Sequence, residues 1–375
     1  MTGDPLITRP ARDLIEVSVF GPGYGEAVLV HCGDDQWLAI DSCVDIETGI
    51  PAPLHYLAGL GVDPAVSLRL ILASHWHDDH IRGIGALVEA APGAVFACSA
   101  ALHEDQFLAL VATHSEPFMM AGSGLDEFNR ILDFKKTQKS NRAIRFAKYN
   151  SIVWRGMAGT REVQVIGLSP SDENADKAIW GIGSLVPEPY TPKRRVVPLR
   201  PNHAAVALIV SIGNSRILLG SDLEEANGVG GWSAIIESPD RPPGKASFLK
   251  IPHHGSANAH EPRMWQEILA PSPVSVVSPF ARGGEFLPTV QDVKMIRSLT
   301  CNGHITSQGQ FYRKQRYPKA VEKTLKDVAP KMHSAQPMMG QVRYRHTIDS
   351  VEFPQIEHFG NASPLAEYAQ IMSAK

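Results

Sequence analysis

Three histidines and two aspartates fall within six residues in the run Ser74-His75-Trp76-His77-Asp78-Asp79-His80. Imidazole nitrogen and carboxylate oxygen are the donors that zinc and its borderline neighbours prefer. The run follows Leu68-Arg69-Leu70-Ile71-Leu72-Ala73, a short aliphatic stretch bounded by polar residues, which reads as a buried strand. A strand ending in His-x-His-x-Asp-His delivers its donors to one point at the sheet edge. His75 and His77 leave an extended backbone on the same side. Asp79 and His80 lie past the bend into a helix. The spacing therefore divides the group, one pair for each of two metal ions.

Two metals need more ligands, and two further strand ends offer them. Arg216-Ile217-Leu218-Leu219-Gly220 leads into Ser221-Asp222, where a carboxylate can bridge two ions. Asp222 before Leu-Glu-Glu also reads as a helix N-cap. Phe248-Leu249-Lys250-Ile251-Pro252 ends in His253-His254-Gly255-Ser256, and the glycine suits a close approach of backbone to a ligand.

The order Asp41, His75-x-His77-x-Asp79-His80, Asp222 and His253-His254-Gly255-Ser256 resembles that of the metallo-β-lactamase-fold hydrolases. Asn202-His203-Ala204-Ala205-Val206-Ala207-Leu208 through Gly220-Ser221-Asp222, with Leu249 to Ser256, resembles their nuclease-like branch. That branch is typified by the hydrolase domain of bacterial competence DNA-uptake channels. The resemblance covers about residues 14 to 310. It implies an α/β fold, a four-layer αββα sandwich with helical insertion and C-terminal extension. It also implies that Asp41 orients a ligand histidine or the turn. The hydrolase domain is then 1–310, with insertions at about 100–148 and 171–201. Residues 311–375 form an extension that packs on the domain or docks a partner. The chain departs from the family at Pro201-Asn202-His203, where many members place a ligand histidine, and at Ser221-Asp222, where Gly-Asp is usual.

The elements that must position these residues read consistently. Leu14 to Phe20 is a strand, Gly21-Pro22-Gly23-Tyr24-Gly25 a tight turn, and Ala27 to Val30 the returning strand. The glycine-rich turn joins two strands, so it reads as a hairpin and not a nucleotide loop. Trp37 to Ile40 runs into Asp41. Residues 100 to 148 read as helices, with Phe107, Leu110 and Val111 on one face and Phe128, Ile131 and Leu132 on another; Met119 and Met120 read as core. Residues 171 to 201 read as a lid or substrate loop. The tail carries a helix over 320–328, a strand over 341–345 and a terminal helix.

Composition narrows the class. With 375 residues and 43% hydrophobic content, one large domain with insertions is expected. No apolar run reaches a membrane-spanning length. Met-Thr-Gly-Asp-Pro is no basic-then-apolar leader, so a cytoplasmic location without membrane contact is expected. Cys32, Cys43, Cys98 and Cys301 form no CxxC pair and read as reduced, mostly buried thiols. The net charge of −3 argues against a dedicated nucleic-acid binder. Basic residues nevertheless cluster at Arg130 to Lys148, at Lys193-Arg194-Arg195 with Arg200, and at Arg313 to Lys323. The second cluster precedes a strand that leads to the site, which makes a polyanionic substrate plausible.

The expectation is a two-metal-dependent hydrolase, a phosphodiesterase or nuclease acting on DNA or RNA. Two divalent ions, zinc or manganese, hold a bridging hydroxide that attacks phosphorus. His75 and His77 serve the first ion, with His203 or Asn202 as third ligand. Asp79, His80 and His253 serve the second, and Asp222 bridges. His254 donates the leaving-group proton, and Lys193, Arg194 and Arg195 bind substrate. The alternatives are a hydrolase of small esters, lactones or cyclic nucleotides, and an effector subunit of a bacterial antiviral defence complex.

Overall fold

The computed structural model describes residues 7–21, 25–45, 48–103, 107, 109–111, 124–137, 144–186, 201–226, 230–282, 285–308, 339–350 and 352–373. In chain order the first strands are β1 (Leu14–Gly21), β2 (Ala27–His31), β3 (Trp37–Ile40), β4 (Leu68–Ala73), β5 (Val95–Ser99), β6 (Arg145–Ala147), β7 (Ser151–Ala158), β8 (Arg161–Gly167) and β9 (Leu208–Ile212). There follow β10 (Ser215–Leu219), β11 (Ala246–Lys250), β12 (Leu269–Val277), β13 (Phe280–Arg282), β14 (Glu285–Leu287), β15 (Gly303–Ile305), β16 (Gly340–Thr347), β17 (Gln355–Gly360) and β18 (Ser363–Pro364).

These strands build two eight-stranded sheets, ordered β17-β16-β1-β2-β3-β4-β5-β6 and β18-β15-β12-β11-β10-β9-β8-β7, with β13 and β14 as a separate hairpin. The sheets repeat one design. β1, β2 and β3 pair antiparallel and then β3, β4 and β5 parallel; β8, β9 and β10 pair antiparallel and then β10, β11 and β12 parallel.

Three apolar cores show the layering. Val17, Val19, Leu38, Leu70 and Leu72 of the first sheet meet Val165, Val210, Ile217, Phe248 and Val276 of the second, so the sheets pack face to face. Trp37, Ala39, Ile71, Ala73 and Phe96 leave the first sheet on its other side, toward Leu57, Leu87, Phe128 and Ile131. Those four lie in the helices Ala52–Gly59, Ile84–Ala90 and Gly124–Thr137. The outer face of the second sheet meets Trp232, Met264, Ile296 and Tyr368 on the helices Gly231–Glu237, Pro262–Glu267, Val290–Leu299 and Leu365–Ser373. Neighbours in β4 alternate between two cores because strand side chains point to opposite faces in turn. The result is the four-layer αββα sandwich expected from the sequence.

Several segments differ from the sequence expectations. Residues 172–183 are a helix where a loop was expected. The Ser171 hydroxyl accepts from Asn174 N at 3.3 Å, and Asp172 and Glu173 occupy the first turn, a strong helix start. The two apolar faces expected within 100–148 meet in one core, Phe107, Leu110 and Val111 with Phe128 and Ile131, and Leu132 packs against it. The boundary expected near residue 310 falls inside the sandwich. β16 pairs with β1 from Leu14↔Thr347 to Gly21↔Gly340, β17 edges the same sheet, and β18 pairs with β15 in the other. Met119, Met120 and the helix expected over 320–328 lie outside the described residues. Among the described residues no helix is long and apolar enough to cross a membrane.

Candidate metal centre

The donors meet where β3, β4, β10 and β11 end on one side of the sandwich. Asp41 follows β3 at φ 60°. Its Oδ1 accepts from Ser74 N at 2.7 Å, and its Oδ2 accepts from Ser74 Oγ at 2.7 Å and His80 Nδ1 at 2.8 Å. One carboxylate thus holds both the turn after β4 and a histidine of the helix Asp78–Ile81.

The ring nitrogens are sorted by these contacts. His75 Nδ1 faces Ser74 Oγ at 2.9 Å, His80 Nδ1 faces Asp41, and His254 Nδ1 faces Ser278 O at 2.9 Å. With Nδ1 engaged, each ring turns Nε2 inward. Such partners fix ring orientation and raise ligand basicity. His80 Nε2 lies 3.2 Å from Asp222 Oδ2 and 3.9 Å from Asp79 Oδ2. His254 Nε2 lies 3.5 Å from each of the same two oxygens. His75 Nε2 lies 3.9 Å from Asp222 Oδ2 and 3.1 Å from His77 Nδ1. Two sets emerge that share Asp222: His75 with His77, and His80 with His254 and Glu26. Asp79 faces the second set. Glu26 approaches it from the Nδ1 side, 3.7 Å from both His80 Nδ1 and His254 Nδ1.

Electrostatics follow from burial and charge. Burial alone would lower the His80 and His254 pKa values. The carboxylates around them, Asp222 first, outweigh it and hold both above the ordinary imidazole range. Burial would likewise raise Asp222 and Asp79, but for each the facing histidines win and hold it below the carboxylate range. His75 is pushed down, by burial first and then by the other histidines. An imidazole must shed its Nε2 proton to bind a cation, so cation binding and proton release are linked here.

The residues suit divalent ions. His80 Nε2, His254 Nε2 and Asp222 Oδ1 are buried and have no hydrogen-bond partner among the described residues. Orphaned polar atoms are costly in a protein interior. An imidazole and carboxylate set that converges on them is the donor chemistry of zinc and similar ions.

Of the residues expected from the sequence, His75, His77, Asp79, His80, Asp222 and His254 come together, with Asp41 behind them. His253 and His203 do not join them. His253 Nδ1 faces Asn258 Oδ1 at 3.0 Å, and its Nε2 faces Asn202 Nδ2 at 3.2 Å. His203 is partly exposed, 3.9 Å from Glu224 Oε2, while Asn202 donates to Glu224 Oε1 at 2.6 Å. So Asn202, His203, Glu224 and His253 form a neighbouring group. The cause is the backbone: His253 and His254 both take left-handed φ, 44° and 52°, which turns adjacent side chains apart. Asp222 caps no helix; residues 221–226 form a turn and irregular chain. Lys193, Arg194 and Arg195 lie outside the described residues.

Three residues of the site, Glu26, Lys250 and Glu224, were not among those expected from the sequence. Lys250, 1% exposed, pairs closely with Glu26. A signal existed, since a charged residue inside the apolar run Phe248 to Ile251 is buried only with a partner.

No family model matches the chain, and no curated protein matches it. Among solved structures it is similar to Rm3 metallo-β-lactamase, at 14% identity over 56% of this chain and 63% of that one, with a TM-score of 0.30. It is also similar to the metallo-β-lactamase fold protein YhfI from Bacillus subtilis, at 16% identity over 58% and 65%, with a TM-score of 0.28. A third is zinc-bound PqqB from Methylobacterium extorquens, at 11% identity over 54% and 55%, with a TM-score of 0.27. The chain spans less than two thirds of the length of each of these three.

Proposed function

We propose that the chain is a metal-dependent hydrolase with two divalent ions, zinc or manganese, and that its substrate is a phosphodiester, DNA or RNA first. One observation carries the hydrolase reading: two buried Nε2 atoms, of His80 and His254, face the same two carboxylates, Asp79 and Asp222, without a well-formed hydrogen bond. His75, His77 and Asp222 would hold one ion; Asp79, His80, His254 and Asp222 the other. Bound ions would acidify water and offset charge on the reacting group.

The chain's own residues do the rest. Asp41 orients His80 and, through Ser74, His75. His254 moves from proton donor to ligand in this scheme. His253, on the same turn, is partly exposed and backed by Glu224 at 3.6 Å, and it takes the proton-transfer role. For substrate class, support comes from Lys193, Arg194 and Arg195, which precede in sequence the short turn Pro201–Ala204. Asn202 of that turn touches His253. A second reading, a small ester, lactone or cyclic nucleotide, is favoured by a hollow beside His75 lined by Trp76, Leu102, Ile182 and Leu185.

Elemental analysis of the purified protein should find about two divalent ions per chain, because the ligands outnumber one tetrahedral set. Metal-loaded protein should cleave DNA, RNA or bis-p-nitrophenyl phosphate, and Asp79→Ala should abolish cleavage. Absence of metal after reconstitution would end the hydrolase reading. Turnover of lactones or cyclic dinucleotides alone would put the second reading first.

A further inference from the structure

Asp222 rides on a turn held by a buried ammonium that is itself no metal ligand. Lys250 ends β11 opposite Leu219 of β10. Its Nζ donates to Ser221 O at 3.0 Å, lies 4.0 Å from Asp222 Oδ1 and pairs with Glu26 Oε1. Ser221 has φ 46°, a left-handed conformation that a serine adopts only when its surroundings impose it. The same Ser221 oxygen also accepts from His253 N at 2.9 Å. One carbonyl therefore joins the Asp222 turn to the His253–His254 turn, and Lys250 anchors it. Glu26 completes the frame. Its backbone N donates to Asp79 O at 2.9 Å, and its carboxylate stands behind His80 and His254. Asp79, His80, Asp222 and His254 come from three turns, and this one pair touches all three. Lys250 is 1% and Glu26 2% exposed, so neither ion is shared with solvent.

We propose that the Glu26–Lys250 pair is a positioning device for the second metal site: Lys250 fixes the Ser221–Asp222 turn, Glu26 fixes Lys250, and together they set the convergence of Asp222 on His80 and His254. The proposal rests on the two-ion reading above. Charge alone would act differently. Removing Lys250 leaves an extra anion near the site and should tighten cation binding. Removing Glu26 leaves an extra cation and should weaken it. A double neutral replacement leaves the net charge as it was.

The test is cobalt(II) titration followed by absorption spectroscopy on the parent, Lys250→Met, Glu26→Gln and the double variant Glu26→Gln/Lys250→Met. The double variant has no uncompensated buried charge, the main hazard of breaking such a pair. If the pair positions the turn, Lys250→Met and the double variant both lose affinity in the second binding step by about 10–100-fold, the range for residues that orient ligands. The other step loses less, because its site shares only Asp222 with this frame, and the far-UV circular dichroism stays at the parent value. Glu26→Asp, which keeps both charges but shortens the link, should show the same loss and answers the question should neither Lys250 variant fold. Parent-like or tighter second-step binding in Lys250→Met with a parent-like double variant, or parent-like binding in Glu26→Asp, would overturn the proposal. A parent that takes up no cobalt at all would instead strike the two-ion reading.

Discussion

Asp41 shows how much one side chain can organise. Its two oxygens take three donors, from Ser74 N, Ser74 Oγ and His80 Nδ1. Asp41→Asn keeps the shape but turns an acceptor into a donor, so one of these contacts becomes a clash of N–H groups. The expected result is a folded protein with metal affinity reduced about 10–100-fold, measured by competition with a chromophoric chelator. Backbone strain gathers at the same place. Asp41, Ser221, His253 and His254 all have φ between 44° and 60°. Each such residue costs on the order of 1–3 kcal/mol and persists only where the surrounding structure over-determines it.

The helix Val290–Leu299 underlies the His253–Gly255 turn. Thr289 caps it with a reciprocal box: the Thr289 hydroxyl accepts from Asp292 N at 3.2 Å, and Asp292 Oδ2 accepts from Thr289 N at 2.8 Å. Thr289→Ala should cost about 0.5–2 kcal/mol in urea unfolding, with the slope unchanged. Gly255 lies against this helix at φ 81°, where an added Cβ would sit 3.0 Å from Ile296 Cδ1. Gly255→Ala meets both the left-handed penalty, about 1–2 kcal/mol, and that contact. It should lower the melting temperature and weaken metal binding together, whereas Thr289→Ala should affect stability far more than metal binding. Calorimetry alongside metal titration separates the two outcomes.

Across the whole molecule, stability should fall in mild acid through two histidines remote from the metal centre. His31 Nδ1 faces Leu14 O at 2.8 Å while its Nε2 accepts from Asp35 N at 3.1 Å, an arrangement that needs a neutral ring. Burial lowers its pKa to about 4. His304 of β15 faces His358 of β17 at 3.0 Å, a contact between the two sheets. Burial first, and then His358, lower the His304 pKa to about 4. The unfolded chain takes up these protons near pH 6.5 and the folded one only near pH 4. The stability is therefore fully present above pH 6.5 and is lost as pH falls toward 4. By pH 5 each group should cost about 1–2 kcal/mol. Urea midpoints for metal-free protein should fall between pH 7 and 5, and by less in His31→Gln, whose amide can still donate and accept. Much of this architecture was legible in local pattern. Leu68 to Ala73, Arg216 to Leu219 and Phe248 to Lys250 announce themselves as strands because aliphatic runs seek burial. The polar residues that follow must then emerge at the sheet edge, whatever the partners. Three things were not local. Which of His253 and His254 faces inward depends on two left-handed φ values that no residue type there demands. The pairing of Glu26 with Lys250 and of β1 with β16 joins chain segments far apart in sequence, and periodicity carries no information about partners. The closure of both sheets by residues 340–364 follows from the edges that β1 and β15 would otherwise leave unpaired. Local sequence specifies which groups are present and which face of a strand they take. Their meeting at one point is a property of strand order and turn geometry, which long-range packing alone sets.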